Sequence, residues 1–422
     1  MMNIYENFGI SRELAELAEK IQKKVNPLFE GIEKIEEENQ LRVLEGFKKN
    51  RVSDVHFSPT SGYGYDDTGR DTLDRVYADV FGCEAAYVRQ NIVSGTHAIA
   101  SMIFAVLCPG DILLSATGKP YDTLCSVIGI QGNARRTFAD IGIGYRQVEL
   151  DKGTLDIPAI LAALDDKYIK GVLLQRSRGY DWRPAINVSK IREVCAEIKA
   201  KRPDVIIMVD NCYGEFTEVR EPVSCGADVM AGSLIKNPGG GLAPSGGYIA
   251  GRADIVQLCA DRITAPGIGL ECGASLVPPK SFYQGFFMAP HIVAESIKAA
   301  IFCGALFEEL GYETSPSPDC MRTDIIQAVR LGTAEKVIAF CRGVQSASPV
   351  DAFVSPTPSP MPGYTSEVIM AAGTFVQGAS IEVSADAPIR PPYIAYMQGG
   401  LTYKSAKAAI LSAAQMVIKE GQ

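Results

Sequence analysis

The chain has 422 residues, 47% hydrophobic and 21% charged, with a mean hydropathy of +0.07, enough apolar material for a large core and more than one domain. A net charge of −8 and a pI near 5.2 argue against a nucleic-acid partner, whose phosphates need a basic face. Eleven cysteines without any C-x-x-C spacing argue against a disulfide framework or a zinc ribbon and fit reduced thiols.

Residues 11 to 50 are rich in Glu, Lys, Leu and Ile at helical spacings. Leu14, Leu17, Ala18 and Ile21 share one face, and Ser11 is placed to cap the helix. Asn26-Pro27 is expected to end this helix and start a second. Residues 1 to 60 therefore read as an N-terminal helical arm for packing or dimerisation. Glu6, Glu13, Glu16 and Glu19 do not fit a signal peptide, and no apolar run matches a bilayer span. The expectation is a soluble cytoplasmic protein with no membrane partner.

Ser58 to Gly69 is a turn-rich, aromatic loop leading through Arg70 into a helix. From Cys83 onward short apolar strands alternate with helices. AAYVRQ, DILLS, GVLLQ, VIIMVD and DVMAGS read as strands; the stretches after Ser94 and Asp122, Ile157 to Lys167, and Asn187 to Lys201 read as helices. This alternation predicts a mainly parallel sheet flanked by helices over residues 61 to 290. GGYIAG reads as one further strand, antiparallel to its neighbours. A long helix after Pro290, strands at IIQAVRL, DAFVS, VIMAAGTF and SIEVSA, and a closing Ala-rich helix predict a smaller α+β domain over residues 291 to 422. Ser355 to Gly363 is a proline-rich loop.

In open α/β sheets ligands bind beyond the carboxyl ends of the strands. Ser94-Gly95-Thr96, Gln175, Asp210 and Ser233 all fall at such ends, which makes them candidates for one composite site. Ser94-Gly95-Thr96 opens a helix, where backbone N–H groups and hydroxyls suit a phosphate. Asp210 ends a strand and could pair with a pyridine nitrogen. Lys236 follows Leu234 and Ile235 and precedes a glycine run, so a partly buried amine with a lowered pKa is expected. Together these residues suggest pyridoxal phosphate held by a lysine. Ser233 and Lys236 also form S-x-x-K, but no S-D-N or K-T-G motif follows. No G-x-G-x-x-G opens a helix after a strand, which argues against a nicotinamide cofactor, and His56, His97 and His291 lack metal-ligand spacing. Tyr121 could stack on a flat ring, and Arg390, on a proline-stiffened segment, could clamp a carboxylate.

The segments SGYGYDDTGRDTLDRVYADVFG, VRQNIVSGTHAI, PGDILLSATGKPYDTL, VDNCYGEF, GSLIKNPGGGLAPSGGYIAG and APIRPPYIAYMQGG, in this order, resemble the fold-type I pyridoxal phosphate enzymes. More narrowly, the chain is similar to the methionine γ-lyase/cystathionine β-lyase-like group called aluminium resistance proteins, a label for a phenotype that implies no metal site. The resemblance implies Lys236 as the Schiff-base lysine and Asp210 as the pyridinium partner. It implies Gly95, Thr96 and Ser233 at the phosphate, Tyr121 against the ring and Arg390 at the substrate carboxylate. Tyr65 and Arg70 lie where relatives send a segment into a neighbouring subunit's site, so a homodimer or homotetramer with interfacial active sites is implied. The activity implied is carbon–sulfur lysis of an amino-acid substrate, with transamination, aldol cleavage or non-catalytic cofactor binding as alternatives on the same fold. Ile235 departs from the Thr usual before the lysine. Gln175-Arg176-Ser177-Arg178 replaces the usual acidic strand end, and its two arginines hint at an anionic group of the substrate or at phosphate contacts.

Overall fold

A computed structural model describes residues 4–361 and 364–421. Ser11 caps helix α1 (Arg12–Lys49), its hydroxyl accepting the Leu14 N–H. The helix does not break at Asn26-Pro27 as the proline suggested: it runs through Pro27, which faces solvent, while Val25 and Phe29 are buried. Burial of that apolar stripe along the helix Lys280–Glu309 offsets the lost backbone bond. Asp67 caps α2 (Thr68–Phe81).

The large sheet begins with β1 (Ala85–Arg89), followed by α3 (Gly95–Val106), β2 (Ile112–Ser115) and α4 (Asp122–Ile128). Next come β3 (Gly144–Gln147), α5 (Ile157–Ala163), β4 (Ile169–Gln175), α6 (Val188–Lys201) and β5 (Ile206–Asp210). The last strands are β6 (Val229–Ser233) and β7 (Gly247–Gly251), and α7 (Ala253–Ile263) follows. The strand order is β1-β7-β6-β5-β4-β2-β3; β7 is antiparallel to both neighbours and the run from β6 to β3 is parallel. Successive residues of the central strands enter opposite cores. Val172, Leu174, Ile207 and Val209 pack on one face, while Leu173 and Met208 pack on the other with α3, α4 and α7. Both faces are buried, which is why these strands read as continuous apolar runs.

Helix α8 (Lys280–Glu309) runs through Pro290 into the second unit. It is long and apolar enough to cross a membrane, yet 72% of its most apolar stretch is buried inside the fold, as suits a core helix. The second unit continues with β8 (Glu313–Ser315), β9 (Ile326–Arg330), α9 (Ala334–Ser346), β10 (Val368–Ala371), β11 (Ser384–Pro388), β12 (Ile394–Gln398) and α10 (Tyr403–Glu420). Its strands form an antiparallel sheet in the order β10-β11-β12-β9-β8. DAFVS is not a strand: Phe353 is 89% exposed, and the segment has no partner ladder among the described residues. SIEVSA is displaced, with the strand beginning only at Ser384. Pro362 and Gly363 of the expected loop, and residues 1–3 of the expected arm, lie outside the described residues.

Candidate active site

The carboxyl ends of β4, β5 and β6 open onto a cavity of about 380 Å³. Register aligns Gln175 with Asp210 across β4 and β5, and β6 brings Ser233 to the same edge. Ser94, Gly95, Thr96, Tyr121, Asp210, Ser233 and Lys236 all line this cavity. Parallel pairing makes this convergence unavoidable, because every strand that runs the same way ends on the same side.

Ser94 caps α3, its Oγ accepting the His97 N–H at 3.1 Å. Gly95 lets the helix start sit close to the sheet: a Cβ there would lie 3.2 Å from Cys212 Sγ and 3.4 Å from the Ser233 Cβ. The Tyr121 hydroxyl donates to Thr96 Oγ1 at 3.1 Å, and the Tyr121 backbone N–H donates to Gln175 Oε1 at 2.9 Å. The ring is thereby fixed from both ends. Burial pushes the Tyr121 phenol well up, so it stays neutral.

Asp210 accepts the Cys212 N–H at 3.1 Å. Burial raises its carboxyl and the Lys236 charge opposes that rise. Lys236 follows β6, with Nζ 3.9 Å from the centroid of the Tyr213 ring. Burial alone lowers its ammonium, but Cys212, Tyr213, Asp210 and Tyr121 outweigh it and hold it well above the ordinary lysine range. The expected lowered pKa is thus reversed, because the acidic neighbours come from loops far away in sequence. The glycines after Lys236 pack the loop backbone against α8. A Cβ on Gly285 would meet the Gly239 carbonyl at 2.2 Å, and Gly240 takes the left-handed conformation at φ +52°.

Three expected contributors do not line the cavity of the single chain. Arg70 is buried and donates to the Gly64 and Gly273 carbonyls and to Asp71, fastening its own loop. Tyr65 is 63% exposed and stacks on the exposed Tyr63, away from the cavity. Arg390 is exposed in the turn after β11 and does not line the cavity of the single chain. Arg176 and Arg178 do not line it either. Arg176 is fully buried, donating to Asn211 Oδ1 at 2.9 Å, Gly214 O at 2.8 Å and Glu218 Oε1 at 2.6 Å. Arg178 donates to Ser315 O and Oγ, joining the large unit to β8. Behind Lys236, burial pushes Glu215 up to about 8, while the Tyr248 hydroxyl bonded to it at 2.6 Å pulls the other way.

Several lining residues escaped the sequence reading. Cys212 and Tyr213 lie two and three residues after Asp210, and Tyr213 has a left-handed φ of +70°, a detail no spacing reveals. Tyr180, Asp386, Tyr396 and Gln398 come from the loop after β4 and from the small sheet. Period-two alternation in SADAP and IAYMQ could have placed the last three on one face had those strands been located correctly.

The model of the family described as methionine gamma-lyase matches residues 14–418. The chain belongs to the methionine gamma-lyase family. It is 52% identical over 96% of its length to YnbB of Bacillus subtilis (strain 168), covering 97% of that protein. A structure from Clostridium novyi NT named as a carbon-sulfur lyase involved in aluminum resistance superposes with a TM-score of 0.93 at 47% identity, covering 97% of each chain. The pyridoxal-5'-phosphate dependent protein YhfS of Escherichia coli shares the fold, with a TM-score of 0.63 at 17% identity over 92% of this chain and 97% of that one. The architecture of this methionine gamma-lyase family member is therefore that of fold-type I, and family and fold imply pyridoxal phosphate. The lining accommodates that group. Hydroxyls and a helix start stand at one end, the acid Asp210 stands at a strand end, and an aromatic ring and a lysine border the same space.

Proposed function

We propose that this chain is a pyridoxal phosphate-dependent carbon–sulfur lyase that carries out β- or γ-elimination on a sulfur-containing amino acid. The observation that carries this reading is the meeting of Lys236, Asp210 and the Ser94-Gly95-Thr96 helix start in one cavity. Gly95, Thr96 and Ser233 would hold the phosphate, Asp210 the ring nitrogen, Tyr121 the ring face and Lys236 the aldehyde carbon. Bound there, pyridoxal phosphate supplies an electron sink next to the substrate Cα. Lys236 is the lysine of the cavity lining, and its Nζ would take the proton from Cα and return one to the departing part of the substrate. Asp210, buried at the end of β5, would pair with the ring nitrogen and keep it protonated. The name of the Clostridium novyi relative supports the carbon–sulfur bond as the one broken and raises a role in aluminium resistance for this chain. The exposed Tyr63–Tyr65 stack would complete the site in a homodimer or homotetramer.

The test is direct. Purified protein should be yellow, lose its visible band in Lys236→Ala, and release a 2-oxo acid with a thiol from cystathionine, cysteine or methionine. General acid–base loss alone predicts a rate fall of about 10²–10⁴-fold in that variant. Reaction only with an added amino-group acceptor would replace lysis by transamination.

A further inference from the structure

The small sheet closes the cavity opposite the lysine loop with one face of alternating residues. Met370 on β10, Asp386 on β11 and Tyr396 on β12 are cross-strand partners in one row, and all three line the cavity. Their chain neighbours Ile369, Ala385, Ala387, Ala395 and Met397 point into the core behind. Among the described residues Asp386 is the single carboxylate that lines the cavity from this wall. Gln398 Nε2 donates to its Oδ2 at 2.9 Å, and no lysine or arginine among the described residues lies within ion-pair distance of it. Burial pushes its carboxyl up to about 6, with Gln398, Lys236 and Tyr180 opposing, so it is charged near neutrality. Aromatic rings surround it. Tyr180 packs against Tyr396 at 5.2 Å and against Tyr364 at 5.6 Å between centroids, and all three rings line the cavity. Beside them, Ser384 keeps a buried hydroxyl with no partner.

Asp386 is half-buried, and the one cation acting on it, Lys236, lies beyond ion-pair distance, so a ligand that brings a positive charge to this wall gains a partner the protein leaves open. A carboxylate ringed by tyrosines suits a compact alkylammonium, which gains both a charge-assisted hydrogen bond and attraction to the ring faces. We infer that Asp386, with Tyr180, Tyr364 and Tyr396, forms a subsite for an ammonium group at the far end of the substrate side chain. The preferred substrates are then amino-acid thioethers with a cationic tail, ahead of those with an uncharged S-alkyl tail. This inference rests on the lyase reading for its thioether, but the ammonium subsite can be read without turnover.

The experiment compares matched ligands on the holoenzyme. S-(2-aminoethyl)cysteine and S-propylcysteine differ in the terminal ammonium and are compared by kcat/KM. Lysine and norleucine, which carry no sulfur, are compared by calorimetric affinity. The wild type should favour the ammonium member of each pair by about tenfold or more, as expected for a charged hydrogen bond, with the kinetic difference in KM. Asp386→Asn should collapse both ratios toward one, and Asp386→Glu should restore part of them, with the visible cofactor band reporting an intact site. Equal preference in the wild type would overturn the proposal, as would a preference that survives in Asp386→Asn. Loss of affinity for both members alike would overturn it too, since it would place Asp386 at the α-amino group. If neither thioether is cleaved while lysine still outbinds norleucine through Asp386, the lyase reading fails and the subsite stands.

Discussion

Burial decides what each charged side chain does in this molecule. Arg176 is fully buried, and its guanidinium joins the ends of β4 and β5 to Glu218 and Gly214. Removing one partner of such a pair strands the others in a low-dielectric interior. Arg176→Ala should therefore cost about 3–5 kcal/mol in urea unfolding, and Arg176→Met less, although neither touches the cavity. Asp67 is also buried, where it accepts the Arg70 N–H at 2.8 Å and the Thr60 hydroxyl at 2.5 Å. Burial raises its carboxyl, but the bonds from Arg70, Thr60 and Ser275 outweigh that and hold it below its ordinary value. A depressed carboxyl contributes stability above the unfolded pKa of about 3.9 and loses it as pH falls through the lower folded value. The stability gap between wild type and Asp67→Asn should accordingly be full near neutrality and narrow below about pH 4, followed by urea midpoints across pH.

Among the elements, the β6–β7 loop depends on contact between backbones. Gly239 and Gly240 lie against Gly285 of α8 so closely that no side chain fits between them. Gly285→Ala should cost about 1–3 kcal/mol by overpacking and should also loosen the loop that bears Lys236. Faster loss of the visible cofactor band on dialysis, relative to wild type, would report that displacement. Helix α1 carries the opposite lesson: Pro27 removes a backbone bond on the solvent side, yet the buried Val25 and Phe29 hold the helix continuous.

At the scale of the whole molecule, the cavity takes one wall from the parallel sheet and the other from the antiparallel sheet. A ligand that bridges both walls stabilises the folded state by mass action, about 2.7 kcal/mol at a hundredfold excess over Kd. The thermal midpoint should therefore climb with added pyridoxal phosphate, and climb less in Lys236→Ala, measured by calorimetry at several cofactor concentrations.

The apolar runs VIIMV and DVMAG, the polar residues at their ends and the glycines after Lys236 made the parallel sheet and half of the site legible in the sequence alone. Parallel strands buried on both faces leave that trace, and their common direction brings their ends together. The second wall left a weaker one. The β11 and β12 strands are five residues each, and Asp386 acquires its surroundings from Tyr180, 206 positions earlier (386 − 180 = 206). Tertiary structure also decided the charge state of Lys236 and the fates of Arg70, Arg176 and Arg390. Each depends on whether a side chain meets carbonyls, carboxylates or solvent, and local spacing in the chain carries no record of neighbours that folding brings from afar.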